Sequence, residues 1–125
     1  MTTRPDHIIV IADHTPGPHQ TDTEDNWWWL PVIGPTATAL AFLLARHAHH
    51  GERTWDTANL ARTIGLAGNR NKLWSSLDRL SDFHVIHFAA TDVITVRLYL
   101  PALTARQLAV LPDDLAAAYR TLTTA

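Results

Sequence analysis

Six residues between positions 70 and 79 have side chains suited to reading nucleic acid: Arg70, Asn71, Lys72, Ser75, Ser76 and Arg79. At helical spacing they share the side of a helix that its apolar stripe leaves free. Guanidinium and ammonium groups meet phosphates. An asparagine amide pairs bidentately with adenine, arginine pairs likewise with guanine, and serine hydroxyls serve either. Asn71 with Ser75 or Ser76 are therefore the expected base readers. Arg70 is expected on guanine or on phosphate, and Lys72, Arg79 and Arg53 on phosphate. In an arbitrary helix the same residues would form a solvated face with an internal ion pair, such as Asp78 with an arginine. Three cations against the single acid Asp78, on a helix that follows a tight turn, favour nucleic acid here.

Other chemistry finds less support. The chain has no glycine-rich phosphate loop, no nucleophile elbow and no His-Glu-x-x-His motif, so no enzyme is expected. Asp13 and His14 are adjacent but have no nucleophile in a neighbouring element. His47, His49 and His50 invite a metal reading. No carboxylate or thiol stands at ligand spacing beside them, and such side chains also suit the negative end of a helix dipole. No metal and no cofactor is expected.

Composition sets the frame for these residues. A chain of 125 residues with 46% apolar content is expected to form one compact domain. It has no cysteine, which excludes disulfides and thiolate zinc sites. No apolar run approaches the ~20 residues of a membrane span, and the opening MTTRPDHIIV is not a signal peptide, so the expected location is the cytoplasm. The net charge is −2, unevenly spread. Residues 53–79 hold five cations and two acids, whereas residues 1–52 hold two cations and six acids. The local field around 53–79 matters more for docking than the total.

The elements that must position the six residues can be read from periodicity. Asp56 is expected to cap a first short helix with Leu60, Ala61 and Ile64 inward. Gly65 and Gly68 bracket a turn. A second helix runs over 70–82 and buries Leu73, Trp74, Leu77 and Leu80. Before these, Pro35 opens a helix over 35–50 and Thr54-Trp55 forms a minimal strand. After them, strands at 85–89 and 93–100 meet about Thr91-Asp92 as an antiparallel hairpin. At the start, His7 to Ala12 reads as a strand, with 19–23 as the second arm of a hairpin and 21–26 as solvated loop or hairpin end. In Trp27-Trp28-Trp29, two rings should pack and one should show. Thr104 caps a helix through about Leu111, and a last helix runs from Asp113 or Asp114 to Leu122.

The run Leu60-Ala61-Arg62…Ile64-Gly65-Leu66, then Leu73-Trp74…Leu77-Asp78-Arg79-Leu80 and Phe83, resembles the winged helix-turn-helix superfamily, in particular small winged-helix proteins of actinobacteria and their mobile elements. The resemblance covers about residues 35–100. It implies an α+β fold: a winged helix-turn-helix core, an N-terminal β-hairpin extension with the Trp-rich segment over 1–34, and C-terminal helices over 101–125. It also implies that helix 70–82 is the recognition helix, that hairpin 85–100 is the wing, and that a homodimer reads a near-palindromic site. The wing tip, Ala90-Thr91-Asp92, departs from cationic wings. Either the wing is structural or its contact comes from Arg97 or elsewhere.

The resulting expectation is a sequence-specific protein of double-stranded DNA, a transcriptional regulator acting as a homodimer. Its interface is expected among Trp27, Trp28, Trp29, Leu115 and Tyr119, which offer apolar surface beyond the needs of a small core. The rival is a winged-helix module that docks on a protein, such as a polymerase or sigma subunit or a replication or phage component. The acidic N-terminal third and the wing tip without a cation favour that rival.

Overall fold

A computed structural model describes residues 4–124; residues 1–3 and 125, the ends of the expected segments 1–34 and 101–125, lie outside the described residues. The chain is an α+β fold. Strands β1 (His7–Asp13) and β2 (His19–Gln20) are followed by a 3-10 helix (Glu24–Trp29) and by helices α1 (Leu30–Ile33) and α2 (Pro35–Ala48). Then come β3 (Arg53–Asp56), α3 (Thr57–Thr63), α4 (Arg70–Asp82), β4 (Ile86–Ala90), β5 (Val93–Arg97) and β6 (Tyr99–Leu100). Helices α5 (Ala105–Leu108) and α6 (Asp113–Thr124) close the chain. Among the described residues no helix is long and apolar enough to cross a membrane.

The main sheet has the order β3-β1-β5-β4. β1 runs antiparallel to β3 and parallel to β5, and β5 runs antiparallel to β4. Register puts Trp55, Ile8, Val10, Ile94, Val96 and Ile86 on one face. All six are buried, in one core with Leu40, Leu44, Leu60, Leu73, Leu77 and Leu80 of α2, α3 and α4. The alternation of the strands and the 3.6-residue period of the helices thus meet in a single apolar layer.

Local chemistry sets the element ends. The Asp56 carboxylate accepts from the Ala58 amide at 3.2 Å and starts α3. The Asn69 side chain accepts from the Lys72 amide at 3.1 Å and starts α4. Between them Gly65 and Gly68 take φ of +84° and +79°, backbone that a β-carbon disfavours. Thr104 and Gln107 form a reciprocal capping box on α5.

Several expectations need correction. The N-terminal β-hairpin does not form: β1 is an inner strand between β3 and β5, and β2 pairs with β6 in a separate two-stranded sheet. Ile8 and Val10 face the core while Ile9 and Ile11 face the other way, so β1 is apolar on both sides, as inner strands commonly are. The expected strand 93–100 is two strands, because the chain changes sheets at Leu98, whose amide donates to the Asp13 carbonyl. Segment 21–26 is not solvated loop. Thr21 and Asn26 are buried, and the Asn26 amide donates to the carbonyls of Thr21 and Thr38. The helix expected to reach Leu111 stops at Leu108.

Candidate nucleic-acid interface on helix α4

Helix α4 buries Leu73, Trp74, Leu77 and Leu80 and turns its other side outward. Asn71, Lys72 and Ser75 are exposed near its N-terminal end. Their side chains make no hydrogen bond or ion pair among the described residues. Ser76 is half-buried and its hydroxyl donates to the Lys72 carbonyl at 3.1 Å.

The arginines are differently placed. Arg70 pairs with Asp6, which precedes β1. The Thr57 amide and hydroxyl both donate to the Asp6 carbonyl, at 2.8 and 3.0 Å, so the backbone of that acid is anchored at the start of α3. Arg4 donates to Asp78 at 2.8 Å and its guanidinium stands 4.7 Å from the centre of the Trp74 ring. Residues 4–6 therefore lie along Arg70, Trp74 and Asp78, one stripe of α4 at four-residue intervals. Arg79 donates through Nε to the Ile33 carbonyl at 2.7 Å and through Nη2 to the Val32 carbonyl at 3.2 Å. It thereby satisfies carbonyls at the end of α1 and holds α4 to the start of α2. An open groove of about 600 Å³ lies beside this contact, with Asp78 and Asp82 among its lining residues.

The two remaining expected contacts are also engaged. Arg53 lies over the Trp55 ring at 4.0 Å and donates to His47 Nδ1 at 2.8 Å. Arg97 donates to the carbonyls of Tyr99 and Pro16. Of the eight residues expected to meet DNA, Asn71, Lys72 and Ser75 are presented together and unengaged, Ser76 is tied to its own helix, and Arg53, Arg70, Arg79 and Arg97 hold protein groups.

The tryptophans divide as expected: Trp29 is buried, Trp28 half-buried and Trp27 69% exposed. Of the expected interface residues, Trp29 and Tyr119 belong to the core, while Trp27, Trp28 and Leu115 line a groove at the surface. Two of the three neighbouring histidines take separate partners. His47 faces Arg53 and Trp55, and His49 lies 3.2 Å from an Asp22 oxygen.

Sequence reasoning missed the Asn69 cap, although Asn before a helical run is a known signal. It also missed Arg4 and Asp6, for which no local signal exists. No family model matches the sequence, and comparisons with curated proteins and with solved structures return no match.

Proposed function

We propose that this chain binds double-stranded DNA sequence-specifically, as a transcriptional regulator of winged helix-turn-helix type, with α4 entering the major groove. The observation that carries the reading is the outward, unengaged set Asn71, Lys72 and Ser75 at the start of a capped helix, joined to α3 by a glycine-bracketed turn. Recognition helices contact bases through their N-terminal part. Asn71 and Ser75 are the base readers and Lys72 the phosphate contact. The order α2, β3, α3, α4 and the hairpin β4–β5 supports the winged reading, with β1 inserted between β3 and the hairpin. The exposed tip Thr91-Asp92 offers no cation, so the hairpin serves as a brace. Docking on a protein of the transcription machinery is the second reading, favoured by Asp78 and Asp82, the acids of α4 that line the open groove.

The test is selection of the purified protein against fragmented genomic DNA, then titration of an enriched fragment at several salt concentrations. An enriched motif is expected. Asn71→Ala should cost about 1–3 kcal/mol on that motif and relax preference at one position. Lys72→Ala should weaken all sequences evenly and lower the salt slope by about one. Absence of enrichment, with binding lost by physiological salt, overturns the DNA reading in favour of the protein-docking one.

A further inference from the structure

Of the three acids just before the tryptophans, one is engaged and two are not. Asp22 meets Gln20 at 2.9 Å and His49 at 3.2 Å. The carboxylates of Glu24 and Asp25 accept no hydrogen bond among the described residues. Thr23 already caps the 3-10 helix through the Asp25 amide, so neither acid is needed as a cap. Among the described residues their only neighbour within ion-pair distance is the His19 ring, 3.6 Å from an Asp25 oxygen.

Both acids line a hollow of about 400 Å³ between the 3-10 helix and α6. Its other lining residues are Trp27, Trp28, Leu115 and Leu122, so it joins two indoles and two leucines to two carboxylates and no cation. Leu115 and Leu122 lie two helical turns apart on one face of α6. Trp28 is held by its edge contact with Tyr119, at 5.3 Å between ring centres. The buried Asn26 bonds two carbonyls and fixes the backbone beside Trp27.

This lining selects its occupant by charge and by polarity. An anion is repelled by both carboxylates, and a neutral apolar molecule makes no use of them. A strongly hydrated cation, such as a metal ion or a bare ammonium, would give up water to two indoles and two leucines. An alkylated ammonium is weakly hydrated, is attracted by the faces of aromatic rings, those of tryptophan most of all, and meets the carboxylates with opposite charge. We infer that the hollow binds a small organic cation, an alkylated ammonium carrying one ring or a short apolar chain. Its volume stands at the low end of small-molecule sites, which fits one such body. No residue of α4 takes part, so the site stands whether or not the chain binds DNA.

The test is titration of the full chain with benzyltrimethylammonium, followed through the indole N–H signals in two-dimensional NMR. The signals of Trp27 and Trp28 are expected to move and saturate, while those of Trp55 and Trp74 stay. Phenylmethanesulfonate, of like size and opposite charge, should move neither at the same concentration. Trp27→Ala should raise the dissociation constant at least about fivefold, and the double variant Glu24→Gln with Asp25→Asn at least about threefold. Added salt should weaken binding to the wild type. Unchanged Trp55 and Trp74 signals would verify that each variant is folded. Binding of the anion as tightly as the cation would reduce the hollow to a plain apolar patch and overturn the proposal. So would a cation that leaves Trp27 and Trp28 unmoved, or one that the double variant holds as well as the wild type.

Discussion

His19 Nε2 and the Tyr119 hydroxyl meet at 2.8 Å in the core, joining residues a hundred positions apart. The Leu103 amide donates to the same hydroxyl at 2.9 Å. The phenol oxygen can accept from both, or its hydrogen can go to Nε2, according to the tautomer of the ring. Nδ1 has no hydrogen-bond partner and lies 3.6 Å from an Asp25 oxygen. One phenol thus links β2, the segment after β6, and α6. Tyr119→Phe keeps the ring, including its edge contact with Trp28 at 5.3 Å, and removes only the oxygen. The buried Leu103 amide and His19 nitrogen then lose their partner. A loss of about 1–3 kcal/mol is expected in denaturant unfolding, with little change in the slope. A loss below about 0.5 kcal/mol would mean that water replaces the hydroxyl.

Gly17 marks a second constraint on the same region. A β-carbon there would stand 2.3 Å from the Leu100 carbonyl oxygen and 2.7 Å from its carbon. Both are backbone atoms of β6 and cannot rotate away. Gly17→Ala must push the Pro16-to-Pro18 turn off β6 and disturb the His19–Leu100 pairing. The expected cost is about 1–3 kcal/mol, as for overpacking elsewhere. Ser or Ala at Gly51, where a β-carbon meets nothing within 4 Å, is the contrast. Its cost is one of backbone conformation alone, since φ there is +118°.

Local elements were legible in the sequence because their causes are local. Leu73, Trp74, Leu77 and Leu80 repeat at helical spacing and are buried, and Asp56 stands where a cap belongs. The division of three tryptophans followed from geometry alone. The position of β1 was not legible, since strand pairing is chosen among distant segments. Its one clue was composition: four successive apolar residues, Ile8 to Ile11, suit an inner strand better than a hairpin arm. The polar run 21–26 misled because Thr21 and Asn26 are buried by bonding backbone, which no hydropathy pattern records. On α4 the outward set could be listed from the sequence, but not which members are engaged. Asp6 lies 64 residues from Arg70 and Ile33 lies 46 from Arg79.

His47 makes stability depend on pH. Burial holds its pKa below the ordinary value of 6.5, with the charges of Arg53, His50 and Arg46 adding to the effect. Its Nδ1 also accepts from Arg53, a bond that protonation destroys. The folded form therefore takes up the proton later than the unfolded chain. The stabilisation is fully present above about pH 6.5 and is lost as pH falls through the lower folded value. His47→Gln, which keeps an acceptor and does not titrate, should flatten that decline. Denaturant midpoints from about pH 8 to about pH 5 measure it against the contributions of the other histidines. Equal slopes for wild type and variant would remove His47 as the cause. Asp13 acts in the same direction at lower pH. The Thr15 hydroxyl and amide bond its carboxylate and lower its pKa, so its contribution fades as pH falls below the ordinary value of 3.8.

Asp6 and Arg70 couple the N-terminal segment to the proposed DNA surface. Thr57 fixes the Asp6 backbone, and the carboxylate occupies the guanidinium that a phosphate or guanine would need. A nucleic acid that engaged Arg70 would have to displace a carboxylate of its own charge sign. Both partners are well exposed, with 40% of the Arg70 side chain and 71% of the Asp6 side chain accessible, so the pair contributes at most about 1 kcal/mol. Asp6→Asn should consequently raise affinity for an enriched DNA site by up to about fivefold, and steepen the salt slope by about one contact. Arg70→Ala should abolish the gain, so that the double variant matches Arg70→Ala alone. Fold stability should move by less than about 1 kcal/mol in either single variant. If Asp6→Asn leaves affinity and salt slope unchanged while Lys72→Ala still lowers them, Arg70 faces the protein in the bound state too. The DNA contact would then narrow to the N-terminal turns of α4 that carry Asn71, Lys72 and Ser75.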